Sequence, residues 1–197
     1  MYHRNLIASG LALLLISCMA TPALAHPGHI GHEFVDGWQH PLTGIDHLLA
    51  MVAVGLLAIR IGGKAIWLLP ATFMASMLLG GVVAAFSLPV PGVEYAIMAS
   101  VLAFGLLVAS TSIVPLWIGV GVVALFAVFH GHAHATEMVQ GGSMAAYASG
   151  FLLATALLHL TGVAGGLALS RLPNSGAIRA VGGMISAMGL LLLCGLI

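Results

Sequence analysis

The sequence predicts an all-α integral membrane protein, a bundle of six transmembrane helices following a cleaved signal peptide. Three observations carry that fold class. Of 197 residues, 61% are hydrophobic and 5% are charged, whereas a soluble domain carries about 25% charged residues. That deficit excludes a water-soluble globular enzyme and a peripheral protein alike. Apolar stretches of the ~20 residues needed to cross about 30 Å of hydrocarbon recur along the chain, separated by gaps rich in Gly and Pro. The basic residues then fall in alternate gaps, the asymmetry that membrane topologies display. Five Lys and Arg against five Asp and Glu leave no basic surface for nucleic acid.

Taken in order, Arg4 precedes an apolar run from Leu6 to Ile16 and then Ala23-Leu24-Ala25, the cleavage pattern of a secretory signal. Residues 1–25 therefore read as a signal peptide. An uncleaved first helix and a lipoprotein-type site at Cys18 are the competing readings. Signal peptide and uncleaved helix both leave residue 26 on the periplasmic side. Residues 26–39 form a His-rich periplasmic head in which His26, His29 and His32 stand beside Glu33 and Asp36. Its Gly and Pro make it flexible, suited to weak capture of a metal ion; a solvated terminus without a role is the bland alternative. Cys18 and Cys194 lie at opposite ends of the chain in no CxxC pair, which supports neither a zinc knuckle nor a disulfide framework.

Residues 40–197 hold the spans, at about 40–59, 65–86, 94–110, 113–133, 144–169 and 177–196. Gly62-Gly63, Pro89 to Gly92, Pro115, Gly141-Gly142 and Pro173 to Gly176 punctuate them. With residue 26 outside, the loops near 60–64, 111–112 and 170–179 are cytoplasmic. Arg60, Lys64, Arg171 and Arg179, the basic residues beyond the signal peptide, all lie in these loops. Small residues dot the spans and suit close helix packing in lipid. The two halves show no persuasive internal repeat.

Ten histidines outnumber Lys and Arg together twofold, and imidazole is the commonest metal-ligand side chain. They concentrate in His40-Pro41-Leu42-Thr43-Gly44-Ile45-Asp46-His47 and in His130-Gly131-His132-Ala133-His134-Ala135-Thr136-Glu137, both at the outer ends of their spans. At about 100° per residue, His130, His134 and Glu137 share a helix face and His132 points away, the weaker ligand candidate. His40, His47 and Met51 form a comparable stripe, with Pro41 and Gly44 able to bend it. Imidazoles suit nickel, copper, zinc and iron, while Asp46 and Glu137 neutralise a dication or hold an imidazole in its metal-binding tautomer. Ionisable groups inside a membrane are costly and read as functional by default.

These motifs resemble the HupE/UreJ family of nickel/cobalt permeases. The first signature corresponds to His40-Pro41-x-x-Gly44-x-Asp46-His47-x-x-Ala50-Met51, continuing to Val54-Gly55; the second to Phe129-His130-Gly131-x-Ala133-His134 followed by Glu137. Ala135 departs from the usual glycine, removing no ligand. The resemblance implies uptake of Ni²⁺ or Co²⁺ across the bacterial cytoplasmic membrane, with the ion as cargo and no permanently bound cofactor. It implies metal ligation by His40, Asp46, His47, His130, His134 and Glu137. It also directs attention to Phe73, Met77 and Glu94 as lining of the ion route together with Met51; by spacing alone Phe73 and Met77 read as core packing. His159, about fifteen residues into its span, is either an inner waypoint or a histidine hydrogen-bonded to a neighbouring helix through Thr155 or Thr161. Membrane lipid is the expected surrounding, and a homo-oligomer is left open. No phosphate-binding loop is present for ATP. The competing class is an intramembrane zinc-dependent hydrolase with Glu137 as general base, against which stands the lack of His-Glu-x-x-His.

Overall fold

The structure, a computed structural model, describes residues 32–137, 142–173 and 176–197. The expected signal peptide, Cys18, and His26 and His29 of the head lie outside the described residues, as does the side chain of Glu137. Seven helices occur among the described residues: α1 (Glu33–Thr43), α2 (Ile45–Ile61), α3 (Ala65–Ala85), α4 (Val93–Ala109), α5 (Leu116–Glu137), α6 (Met144–Ser170) and α7 (Ala177–Leu193).

In a chain this apolar, helix is the form that satisfies every backbone N–H and C=O without water. The punctuation does what the sequence predicts. Gly62 and Gly63 take φ of 77° and 55° in succession between α2 and α3, a left-handed pair that residues with a Cβ resist. Ser143 caps α6, its Oγ accepting from the backbone N–H of Ala146 at 3.3 Å.

One expectation about the spans needs correction. The first span is not one helix: α1 and α2 meet at a bend of 79°, with Gly44 extended between them at φ −83°, ψ 117°. Pro41 removes one backbone donor just before this point, and Gly44 adds the poorest helix former short of proline. The helices are unequal in length, as the bounds read from sequence already are. Helix α3, the stretch Leu116–Thr136 of α5 and α6 are each long and apolar enough to cross a membrane, and α1 with α2 meet that standard only as a pair. Helices α4 and α7 are apolar but have 17 residues each. The protein is an all-helical, multi-pass membrane protein.

Helix α2 runs through the centre, with Met51, Val54 and Leu57 fully buried. It packs against α6, α4 and α3, while α3 lies along α5 and α4 along α7. Helices α3 and α5 approach backbone to backbone: a Cβ on Gly131 of α5 would stand 1.8 Å from the carbonyl oxygen of Met77 on α3. The outer surface is apolar, with Trp67 and Trp117 both largely exposed near the starts of α3 and α5, where amphipathic rings favour a membrane interface.

One end of the bundle carries the basic residues. Arg60 of α2 donates to the Ser110 carbonyl at 2.5 Å, and Arg179 of α7 donates to the Ala109 carbonyl at 3.2 Å. Both guanidiniums thus cap the C-terminus of α4, whose last carbonyls lack helical partners and carry partial negative charge.

Candidate metal centre

The opposite end holds His40, His47 and His134. His40 lies in the last turn of α1, His47 in the first turn of α2 and His134 in the last turn of α5. The bend at Gly44 folds α1 back so that these three imidazoles converge. Ring centroids are 4.6 Å apart for His40–His134, 4.5 Å for His47–His134 and 5.8 Å for His40–His47. One nitrogen from each lies within 4.8 Å of the others, so small rotamer shifts reach the metal–nitrogen distance of about 2 Å. The three come from three helices and need no common helical stripe: the predicted alignment of His40, His47 and Met51 on one helix is replaced by a corner.

Hydrogen bonds fix how two of the imidazoles present themselves. Asp46 Oδ1 lies 2.7 Å from His47 Nδ1 and accepts the His47 backbone N–H at 2.8 Å. An ionised carboxylate only accepts, so Nδ1 carries the proton and Nε2 keeps its lone pair. That Nε2 is buried with no partner among the described residues. Asp46 therefore acts through His47 in this geometry, orienting its ring. Gly44 makes room for the pair, since a Cβ there would meet Asp46 Oδ1 at 2.9 Å and His47 Nδ1 at 3.0 Å.

His130 sits one turn deeper on α5, fully buried, with its ring 5.1 Å from that of His47. Ser100 of α4 donates its hydroxyl proton to the Ile97 carbonyl at 2.6 Å. Its oxygen is left to accept from His130 Nε2, 3.0 Å away. The proton is thus on Nε2, and His130 Nδ1 holds a lone pair with no partner among the described residues. His132 points elsewhere, as predicted, with Nε2 donating to the Leu88 carbonyl at 3.0 Å.

The route residues divide. Phe73 is fully buried, with its ring 5.3 Å from His130 and 5.1 Å from His159. Met51 and Met77 are buried, and Met77 shares with His134 an apolar groove of about 210 Å³ also walled by Tyr147 and Phe151. Glu94 is exposed in the first turn of α4, and no contact joins it to the imidazoles among the described residues. His32 is the exposed N-cap of α1. The reading of His159 as hydrogen-bonded through Thr155 or Thr161 is overturned. Thr161 donates within α6 to Leu157 at 2.8 Å, and neither Thr155 Oγ1 nor either His159 nitrogen has a partner among the described residues.

Sequence reasoning misses Ser100, Tyr147 and Phe151. Ser100 is the polar residue in the middle of an apolar helix, which is a usable signal. Phe151 packs its ring 3.9 Å from that of His134 and Tyr147 lies 6.5 Å from His40; in sequence they look like ordinary packing at i, i+4.

Fold and site together define a multi-pass membrane protein with a buried cluster of imidazoles able to take up a metal ion. Residues 13–192 match the family model described as HupE / UreJ protein. Protein HupE of Rhizobium leguminosarum bv. viciae is 40% identical over 185 residues, covering 91% of this chain and 95% of the relative. The chain belongs to the HupE/UreJ family. No solved structure matches it.

Proposed function

We propose that this protein carries Ni²⁺ or Co²⁺ into the cell across the bacterial cytoplasmic membrane. In this reading α1 with α2 form one crossing and α3 to α7 five more. The imidazole end faces the periplasm and the arginine-capped end faces the cytoplasm, in keeping with the positive-inside rule. The carrying observation is the convergence of His40, His47 and His134 from three helices, each with a nitrogen within 4.8 Å of the others. Membership of the HupE/UreJ family supports the same reading.

A hydrated dication is gathered by the head (His26, His29 and His32) and loses part of its water shell between His40, His47 and His134. Asp46 holds His47 in the ligating tautomer, and Asp46 and Glu137 together offset the charge. Three neutral nitrogens make a site of borderline softness, acceptable to nickel and cobalt alike. From there the ion passes His130, beside Phe73 and Met77. A membrane potential contributes ~2.3 kcal/mol per charge per 100 mV, hence about 4.6 kcal/mol for a dication. That drives uptake without ATP.

Radioactive nickel uptake into sealed proteoliposomes tests this. His134→Ala should reduce uptake to the protein-free background, while His132→Ala, bound to Leu88 away from the trio, should keep most of it. Equal uptake by both variants overturns the assignment.

A further inference from the structure

We propose that His159 and Thr155 form a second ion station, beside Phe73 and beyond the imidazole trio, which receives the dication from His130. The inference rests on reading the protein as an ion path and extends that path past the trio.

The first ground is an anomaly of burial. His159 is 1% exposed and Thr155 is 0% exposed, yet His159 Nδ1 and Nε2 and Thr155 Oγ1 find no partner among the described residues. Buried side-chain polar atoms in folded proteins are otherwise paired with protein or an ordered guest. The two residues are one turn apart on α6 and so share a face.

The second ground is continuity. Ring centroids step from His134 to His47 at 4.5 Å, to His130 at 5.1 Å, to Phe73 at 5.3 Å and to His159 at 5.1 Å. His130 ends the trio side of this series with the open lone pair on Nδ1 that its bond to Ser100 leaves. Phe73 packs its ring against both histidines, and its π face attracts a cation in transit. The far histidine is held firmly: a Cβ on Gly55 of α2 would lie 2.3 Å from the His159 carbonyl oxygen, which sets the two backbones in contact at this level.

One imidazole and one hydroxyl cannot replace a whole hydration shell. The station therefore suits a first-row dication that keeps several waters, with His159 as ligand and Thr155 holding an ion-bound water. Such binding is weaker than that of the trio. An ion must leave a path as readily as it enters, so this weakness favours release inward.

The test places a thiol at position 159. Full-length His159→Cys, in a Cys18→Ser, Cys194→Ser background, is purified and loaded with Co²⁺ alone. A thiolate bound to cobalt gives a near-ultraviolet charge-transfer band that imidazole, hydroxyl and water ligands do not give. The band is expected in His159→Cys and should be missing from the background protein. Its absence from His159→Cys that still binds Co²⁺ at the trio overturns the proposal. Should His159→Cys fail to give monodisperse protein, Thr155→Cys carries the same readout. In parallel, His159→Leu, which fills the same volume without a ligand, should slow nickel flux at least tenfold while Co²⁺ affinity at the trio stays within about threefold. Wild-type flux in that variant counts against the station. The trio has its own control: if His47→Ala leaves Co²⁺ affinity unchanged, the metal centre fails, whatever the result at position 159.

Discussion

Gly131 is where a single methyl group should do most harm. It stands between His130 and His132 on α5, facing α3, and a Cβ there would lie 1.8 Å from the Met77 carbonyl oxygen, 2.6 Å from its carbon and 2.8 Å from its Cα. All three are backbone atoms of a helix, so no side chain can rotate out of the way. Ordinary contact begins at 3.4 Å, which obliges the two backbones to part by about 1.6 Å at this level or to twist by an equivalent amount. Overpacking of this kind costs ~1–3 kcal/mol, and a rigid backbone neighbour puts Gly131→Ala at the upper end. The displacement carries His130 and His134 with α5 and changes their distances to His40 and His47. Metal sites tolerate errors of only about 0.2 Å in ligand distance, so Co²⁺ affinity should fall on the order of 100-fold. Equilibrium dialysis of detergent-purified protein measures the affinity, and thermal unfolding of the same sample measures stability. Gly121→Ala is the internal control. It lies on the same helix with nothing within 4 Å of the place its methyl group would occupy, and alanine there should leave affinity unchanged and add ~0.5–1 kcal/mol of helix stability. Wild-type affinity and melting in Gly131→Ala would refute the argument from close helix approach.

Two further outcomes follow from hydrogen bonds at the two ends of the bundle. Asp46→Asn keeps a carbonyl oxygen near His47 but removes the charge that fixes its tautomer; Co²⁺ affinity should drop about 10–100-fold, and an unchanged affinity in dialysis would show that the carboxylate does not act through His47. Arg60→Gln removes a charge-assisted bond to the end of α4, worth ~1.5–3 kcal/mol. The unfolding midpoint should fall while Co²⁺ affinity holds, and a loss of affinity without a shift in the midpoint would contradict the separation of the two ends.

Much of this is open to reading from residue order, and the failures have physical causes. Hydropathy locates the apolar runs because lipid demands them, but it averages over a window and is blind to one extended glycine. Gly44 therefore sits inside what hydropathy presents as one continuous span, and only the residue types Pro41 and Gly44 mark where it can bend. His40 and His47 do meet, through the corner that Pro41 and Gly44 allow rather than through the i, i+7 alignment of a straight helix. The Asp46–His47 bond is foreseeable, since the two residues are neighbours. The bond from His130 to Ser100 is not, because its partner lies on another helix thirty residues away. His159 misleads because threonines on its own helix look like ready partners, yet the ring it meets belongs to Phe73 on α3.

The unequal helices leave a mark on the surrounding lipid. Helices α4 and α7, packed on each other, are each about 26 Å long at 1.5 Å per residue, whereas α6 reaches about 40 Å. In the proposed six-span arrangement these two helices each cross with about 26 Å, short of a typical hydrocarbon layer, so the leaflets would dip along that flank while α6 leans over on the other. The molecule then sits in a lopsided collar of acyl chains, at ease in short-chain lipid and strained in thick bilayers. Changes in fatty-acid composition would press first on the α4–α7 side, where Arg60 and Arg179 anchor the short helix from below.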